Sequence, residues 1–245
     1  MSNALAERIL GHLQRVEAER QARAKDPVLA RQVLALKAYQ RERFARTHAD
    51  LLAHRRDSNA ARFFLDDLYG PQDFNERDAQ FVRIVPALVR LFPQDIIATV
   101  EALAALHALS ESLDSEMGRQ LGTGALDAGS YLHAWQATGR PADRARQIEL
   151  VLALGRQLDR YTRSMLLRNS LRLMRGPARA AGLASLQGFL ERGFDTFSAM
   201  RGADEFLARV ETRERALLDA LFAAQDVAQA TGETPAWRDA LGQLP

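Results

Sequence analysis

The sequence predicts an all-α fold, a single-domain bundle or array of about ten helices, and three observations indicate this. Apolar residues recur every three, four, seven or eight positions through most of the 245 residues, which is the period of amphipathic helices. No run of β-branched residues alternates with polar ones, and no Asn-Gly hairpin turn occurs. The 15 glycines and 8 prolines are too few for a many-turned β-protein.

Residues 1–56 are predicted to form two long helices, arranged as an arm or a hairpin. Asp26 and Pro27 have the residue types of an N-cap and a first helical position, so the second helix is expected to begin there. Residues 57–245 then form a helical core domain, and residues 27–56 are expected to join it in one compact unit.

Caps and helix breakers divide the rest of the chain. Residues 75–78 resemble a capping box, and Pro86 predicts a kink in the helix that follows. The glycines at 122 and 124 mark the main expected break between halves, and Thr234-Pro235 is expected to cap a last turn. The predicted helices cover residues 3–24, 27–56, 60–69, 76–92, 94–120, 125–138, 141–164, 165–175, 177–200 and 203–225.

Charge is unevenly distributed along the chain. The formal net charge is only +2, but residues 1–56 carry 12 basic and 6 acidic side chains, whereas residues 57–130 carry 5 and 12. The basic N-terminal part therefore complements the acidic middle, either in the same chain or in a second copy. The first possibility predicts a folded-back arm, and the second predicts a homodimer.

Several function classes are excluded by composition and motifs. The chain has no cysteine, so thiolate nucleophiles, Fe–S clusters and thiolate zinc sites are excluded. It has no Walker loop, Rossmann glycine fingerprint, Gly-x-Ser-x-Gly elbow or His-Glu-x-x-His motif. No stretch of 18 apolar residues is present, so no membrane span and a cytoplasmic location are expected. Aromatic residues do not interleave with the arginines, so nucleic acid is not an expected partner.

The segment RFFLDDLYGP, followed by Asp73-Phe74 and Arg77-Asp78, is similar to the signature of the uncharacterised bacterial "FFLEELY motif" family. Aspartates stand here at both positions where the family's name has glutamate. The segments RIVPALVRLFP and GLASLQGFLERGF extend the similarity, which covers most of the chain from about residue 40 onward. The resemblance implies no known reaction, cofactor, partner or catalytic residue. The motif residues are Phe63, Phe64, Leu65, Asp66, Asp67, Leu68 and Tyr69.

Read as an amphipathic helix, the motif predicts packing at a turn between two long helices. Phe64, Leu65 and Leu68 are expected to point inward, and the two aspartates are expected to face water or an arginine. The alternative is a carboxylate site for a hard cation or a basic partner. That site would be formed by Asp66, Asp67, Asp73 and Asp78.

The helix over 94–120 contains the strongest candidate for chemistry. His107 and Asp114 share the helical face of its apolar residues, and Glu111 lies one turn after His107. Such a row suits acid–base catalysis or part of a metal site, and the alternative is a satisfied polar network at one end of the bundle. His54 is predicted to continue the apolar stripe of the second helix, one turn after Leu51, so a metal site shared by His54 and His107 is the weaker possibility.

Arginines and phenylalanines near the C-terminus suggest a binding site. Arg168, Arg172 and Arg175 fall on one helical face, and Arg179 follows a predicted helix start, so these side chains are candidates for an anion site. Gly182 and Gly193 are expected to let another helix approach closely. The alternative to simple core packing is an apolar groove walled by Phe189, Phe194, Phe197 and Phe206.

The function predicted first is a non-enzymatic helical interaction module that binds itself or another protein, with no cofactor. The alternative is a small-molecule binder with an apolar pocket and an arginine-lined anion site. An enzyme that uses His107, Glu111 and Asp114 is the third possibility.

Overall fold

The computed structural model describes residues 2–68, 74–224 and 240–245, and these residues form α-helices and no strand. The predicted all-α class is therefore confirmed. A π-helical turn, Phe64–Leu68, follows the fourth helix. The helices are α1 (Ser2–Ala24), α2 (Pro27–Thr47), α3 (Ala49–Ala53), α4 (Ser58–Phe63), α5 (Asn75–Leu91), α6 (Gln94–Leu121), α7 (Ala128–Thr138), α8 (Pro141–Thr162), α9 (Met165–Leu173), α10 (Arg175–Ala180), α11 (Ala184–Met200) and α12 (Asp204–Ala223).

The central helix is α6, which contacts α1, α2, α5, α7 and α8. Pro93 precedes this helix, and Gly122 ends it with a φ of +60°, a conformation that glycine adopts without strain. The second group of contacts joins α8, α11 and α12, and α4 packs against α11. One apolar cluster links these two groups through Leu106, Leu150, Phe197 and Phe206.

Helix α6 is long and apolar enough to cross a membrane by length and composition, and its most apolar window has a mean hydropathy of 1.4. It is the one such helix among the residues that the structure describes. A single helix of this kind is weak evidence for a span, since core helices of soluble proteins pass the same test. Here α6 packs against five other helices and contains the buried Glu111 and Asp114.

The chain breaks within two predicted helices. The helix expected over 27–56 ends at Thr47, and the short α3 starts after His48. The buried His48 side chain bonds to Glu214, which holds the break in place. The prediction of one continuous helix over 177–200 is also wrong, because the backbone turns at Gly182, whose φ is +67°. Gly182 therefore lies in a turn instead of on a helix face, and α11 starts only after it.

Two helix starts also differ from the prediction. Residues 75–78 do not form a capping box: the N-cap of α5 is Phe74, which makes no side-chain cap bond, and Asp78 points to other partners. The capping box is instead at Asp127, whose side chain accepts from the backbone N–H of Ser130 at 2.8 Å. Pro86 lies inside α5, as predicted. The turn predicted at Thr234-Pro235 lies outside the described residues.

The motif segment packs tightly between α2, α11 and α12. Phe63, Phe64 and Leu65 are all buried, and the ring of Phe63 stacks on Phe189 with centroids 5.7 Å apart. A Cβ placed on Gly193 would lie 3.1 Å from Phe63, so the expected close approach at Gly193 is confirmed.

Both motif aspartates pair with arginines. Asp66 accepts from Arg41 at 2.8 Å, and the buried Asp67 accepts from Arg192 at 2.6 Å. The two aspartates therefore face arginines, as predicted. Asp67 is buried, whereas Asp66 is also exposed to water. Tyr69, Asp73 and the side chain of Leu68 lie outside the described residues, so the predicted four-carboxylate site is described only at Asp66, Asp67 and Asp78.

Candidate functional site

A cavity of about 390 Å³ lies between α6 and the surrounding helices α5, α8, α9, α10 and α11. Its volume is within the range of about 300–1,000 Å³ that small-molecule sites occupy. Most of its surface is apolar. Apolar side chains from every one of these helices contribute to the wall, among them Phe81, Ile84, Val100, Leu103, Val151, Leu171, Ala178, Phe189 and Phe194.

The polar part of the wall is formed around the second half of α6. Ser110, Glu111 and Asp114 follow His107 by three, four and seven residues, so all four lie on one face of the helix, and they line the cavity. Polar side chains from three neighbouring helices face them. These are Lys37 and Gln40 of α2, Arg77 and Asp78 of α5, and Gln147 of α8.

His107 bonds to a carboxylate from another helix. Its Nε2 lies 2.7 Å from Asp78 Oδ2, and Arg20 donates to the same carboxylate oxygen at 2.5 Å. Burial raises the pKa of Asp78, but His107, Arg77 and Arg20 outweigh that effect and hold the pKa at about 2. Asp78 is therefore an ionised carboxylate with three partners.

Glu111 is paired with two cations. Lys37 Nζ lies 2.5 Å from its Oε1, and Arg23 donates to its Oε2. Burial raises the pKa of Glu111, and the charges of Lys37 and Arg23 lower it to about 2 overall. This carboxylate is thus ionised and occupied at both oxygens.

Asp114 differs from these two acids. It is 94% buried, and it accepts one hydrogen bond, from Gln40 at 3.2 Å. Within the described part of the chain it forms no ion pair at 4 Å or less. Burial raises its pKa, and the nearby charges of Lys37 and Arg144 only partly offset this. Asp114 is therefore the acid of the cavity wall with hydrogen-bonding capacity left over.

Arg77 closes the polar part on the α5 side. Its guanidinium lies 3.9 Å from the ring centroid of Phe74 and 4.7 Å from that of Phe189, and it donates to the backbone oxygen of Asp67. Burial lowers the pKa of Arg77, while Asp78 acts in the opposite direction. The arginine is thus held by two aromatic rings and an acid.

The cavity reaches the surface beside α9. Phe92, Met174 and Leu190 line the cavity and are also exposed, by 42%, 51% and 42%. No residue of α9 is buried, although its Leu167 and Leu171 line the cavity. The outward side of α9 also carries exposed apolar side chains, since Leu166 and Leu173 are 75% and 78% exposed. Helix α9 therefore covers the cavity without being anchored in the core.

A protein-family profile described as "Domain of unknown function (DUF8198)" matches residues 19–228. The chain belongs to this family. The matched range includes every residue that lines the cavity except Leu13 of α1, and the family description assigns no activity. Searches of curated proteins and of solved structures found no match.

The structure of this DUF8198 chain brings the three residues of the predicted acid–base row to one cavity wall. His107, Glu111 and Asp114 all line the cavity, each with different partners. They do not form one hydrogen-bonded row along α6, because their partners come from α1, α2 and α5. The described residues include no group of three or more His, Asp or Glu side chains placed to hold a metal ion.

His54 is placed away from any apolar face, so the expectation that it continues the stripe of Leu51 was wrong. Its side chain is 56% exposed and bonds to Asp57 at 2.9 Å, because the helix has already ended before it. The buried histidine of this region is His48.

The four predicted anion-site arginines do not line the cavity. Arg168 donates to Ser198 and lies over the ring of Phe194, and Arg175 bonds to Glu191 at 2.6 Å. Arg172 and Arg179 are exposed. Of the predicted aromatic wall, Phe189 and Phe194 line the cavity, whereas Phe197 and Phe206 are buried in the neighbouring apolar cluster.

Sequence reasoning missed Lys37, Gln40 and Gln147, which come from helices far from α6 in sequence. A signal existed for one of them. Gln40 lies on the buried face of α2, one turn from the apolar Leu36 and one turn from the apolar Phe44. A polar residue at such a position indicates a buried hydrogen-bond partner.

Proposed function

We propose that this protein binds an apolar small molecule in the cavity beside α6. The observation that carries the proposal is a cavity of about 390 Å³ with mostly apolar walls and a few polar groups on one side. Well-packed interiors hold few voids larger than a water molecule, so an apolar cavity of this size is costly unless a ligand fills it. Binding sites for small molecules combine apolar walls with a small number of polar groups in this way.

Helix α9 supplies the route by which a ligand reaches the cavity. Elements that open for ligands come from the least stable parts of a fold, and few buried apolar contacts are the structural mark of such parts. Helix α9 has no buried residue, yet Leu167 and Leu171 cover the cavity. Its outward movement would break the bonds from Gln187 to the carbonyl of Leu171 and from Arg168 to Ser198, but it would expose no buried residue of α9 itself.

The test measures binding of N-phenyl-1-naphthylamine, an uncharged apolar fluorophore, to the purified full-length protein. Leu171→Trp and Leu173→Trp form a matched pair on α9, since Leu171 lines the cavity and Leu173 is 78% exposed. We expect the Leu171→Trp variant to bind the probe at least about tenfold more weakly, because the indole ring takes up cavity space. The Leu173→Trp variant should bind like the wild type.

A second variant, on a different helix, controls for outward movement of α9, which would make room for the added ring. Val151 is buried on α8 and lines the cavity, so Val151→Phe should also weaken probe binding. Binding that is unchanged in both cavity variants would exclude this cavity as the site. Mass spectrometry of a solvent extract of the purified protein would identify a ligand that co-purifies.

The self-associating interaction module and the homodimer remain predictions with less support. The complementary charges that suggested a second copy are paired within the chain, as in Arg20 with Asp78 and Arg41 with Asp66. Light scattering on the full-length protein tests the homodimer directly. The cytoplasmic location, the bacterial origin and the membership of the FFLEELY motif family, which the sequence suggests, stay predictions.

The enzyme alternative also has less support than binding. His107 Nε2 is held by Asp78, and both oxygens of Glu111 are held by cations, so neither group is available at those atoms. A general base needs a free acceptor within hydrogen-bond reach of its substrate. Asp114 differs from Glu111 in having no cation partner among the described residues, which suits recognition of a ligand.

A further inference from the structure

We infer that the ligand of the cavity is a neutral amphiphile whose hydroxyl group hydrogen-bonds to Asp114. This inference rests on the proposed function, because it assigns the chemical class of the molecule that the same cavity binds. An apolar body fits the walls, and a hydroxyl fits the acid that has bonding capacity left.

The first argument is the count of bonds at each acid of the wall. Asp78 is bonded by His107 and Arg20, and Glu111 by Lys37 and Arg23. Asp114 accepts one bond, from Gln40, although a carboxyl group has room for several. It is nine-tenths buried among protein atoms, and the cavity that it lines is the place from which a further partner can come.

The second argument is charge, which disfavours an acidic ligand. The wall contains Asp67, Asp78, Glu111 and Asp114, and its cations are Lys37 and Arg77. Both cations are committed: Lys37 to Glu111, and Arg77 to Asp78. A ligand carboxylate in this place would leave water for a site where both lining cations are already paired with protein acids, which is unfavourable.

The third argument separates a hydroxyl from an ammonium group. The charges nearest Asp114 include Lys37 and Arg144 as well as Glu111, so a ligand cation would be placed near two protein cations. A hydroxyl avoids this repulsion, and it can both donate to and accept from a carboxyl group in either protonation state. Burial raises the pKa of Asp114, which favours the neutral acid and is consistent with a neutral partner.

The experiment compares three amphiphiles with the same ten-carbon chain: decan-1-ol, decanoate and decylamine. Each is used at neutral pH to displace N-phenyl-1-naphthylamine from the full-length protein. We expect decanol to displace the probe at a concentration at least about tenfold lower than decanoate or decylamine, because one buried unpaired charge costs more than one hydrogen bond.

Variants at position 114 tie the preference to the proposed contact. Asp114→Asn keeps a side chain that donates and accepts, so decanol binding should stay near the wild-type value. Asp114→Leu removes the contact and should weaken decanol binding about three- to tenfold while leaving the probe itself bound. Glu116→Leu is the matched control on α6, since Glu116 does not line the cavity, and it should change nothing.

The outcomes separate this inference from the proposed function. If the probe does not bind at all, the proposed function fails. If the probe binds but the three amphiphiles displace it equally, or if decanoate or decylamine displaces it best, the cavity still binds apolar molecules and the hydroxyl assignment is overturned. The same holds if Asp114→Leu binds decanol as well as Glu116→Leu does.

Discussion

Substitution of Glu214 is expected to destabilise the protein more than any other single loss of charge outside the cavity. Glu214 on α12 is 8% exposed, and its Oε1 accepts from Arg43 Nη1 at 2.5 Å and from His48 Nε2 at 2.9 Å. Arg43 and His48 are also buried, at 5% and 0% exposure. Glu214→Ala would remove the acid that both Arg43 and His48 contact, and removal of one partner of a buried ion pair costs about 3–5 kcal/mol in the free energy of unfolding.

Glu211 provides the control on the same helix. It pairs with Arg156 at 3.2 Å and with Arg215 at 3.1 Å, and its side chain is 32% exposed. Pairs in such positions contribute about 0.2–1 kcal/mol, so Glu211→Ala should have a small effect. Urea denaturation followed by far-UV circular dichroism measures both variants.

The reasoning would be refuted if the two variants lost stability to within about 1 kcal/mol of each other. A double variant distinguishes the loss of the ion-pair attraction from the cost of keeping one charge buried after its acid has been removed. In Arg43→Met with Glu214→Leu, both buried charges are replaced by apolar side chains, so most of the lost stability should return.

Two further perturbations test the packing and the electrostatics of the fold. Gly193→Ile should lower the free energy of unfolding by about 1–3 kcal/mol, because a Cβ there already lies 3.1 Å from Phe63, whereas Gly188→Ala on the same helix should not lower it; chemical denaturation of both variants checks this. Asp78 and Glu111 each have a pKa of about 2 in the folded state, below the ordinary value, so the stability that they contribute is complete above about pH 5 and is lost as the pH falls towards 2. For Asp114 the pH dependence is reversed: its pKa is raised in the folded state, so its effect on stability becomes less favourable as the pH rises. Asp114→Asn should therefore increase the melting temperature at neutral pH and lose this advantage in acid.

Much of the helical architecture is predictable from local sequence. Asp26 caps α2 with bonds to the backbone of Val28 and Leu29, and Pro27 starts the helix, as the residue types indicate. The apolar period predicted α6 to within one residue at its C-terminus, and Gly122 ends it. These features depend on contacts within one helical turn, which the sequence displays directly.

The two missed breaks depend on distant partners. Nothing near His48 marks the end of α2, because the residue that holds this break is Glu214, on the last long helix of the described chain. Gly182 falls inside the helix predicted over 177–200, because glycine is tolerated within helices. Its positive φ shows that the chain turns there, while Arg83 of α5 donates to the carbonyls of Ala181 and Gly182. Tertiary contacts therefore overrode the local helical pattern at both positions.

The cavity could not be predicted from the sequence, because residues that line a cavity have no sequence pattern of their own. Leu103 and Leu171 have the spacing of core residues, but in the fold they line the cavity. Asp114 was identified as a polar residue on an apolar face, and that signal was sound. Its distinguishing property, however, is that no cation of the described residues pairs with its carboxylate, because Lys37 and Arg23 pair with Glu111 one turn away. The sequence thus indicates which polar residues lie inside, and the partners brought by other helices decide which of them remains available to a ligand.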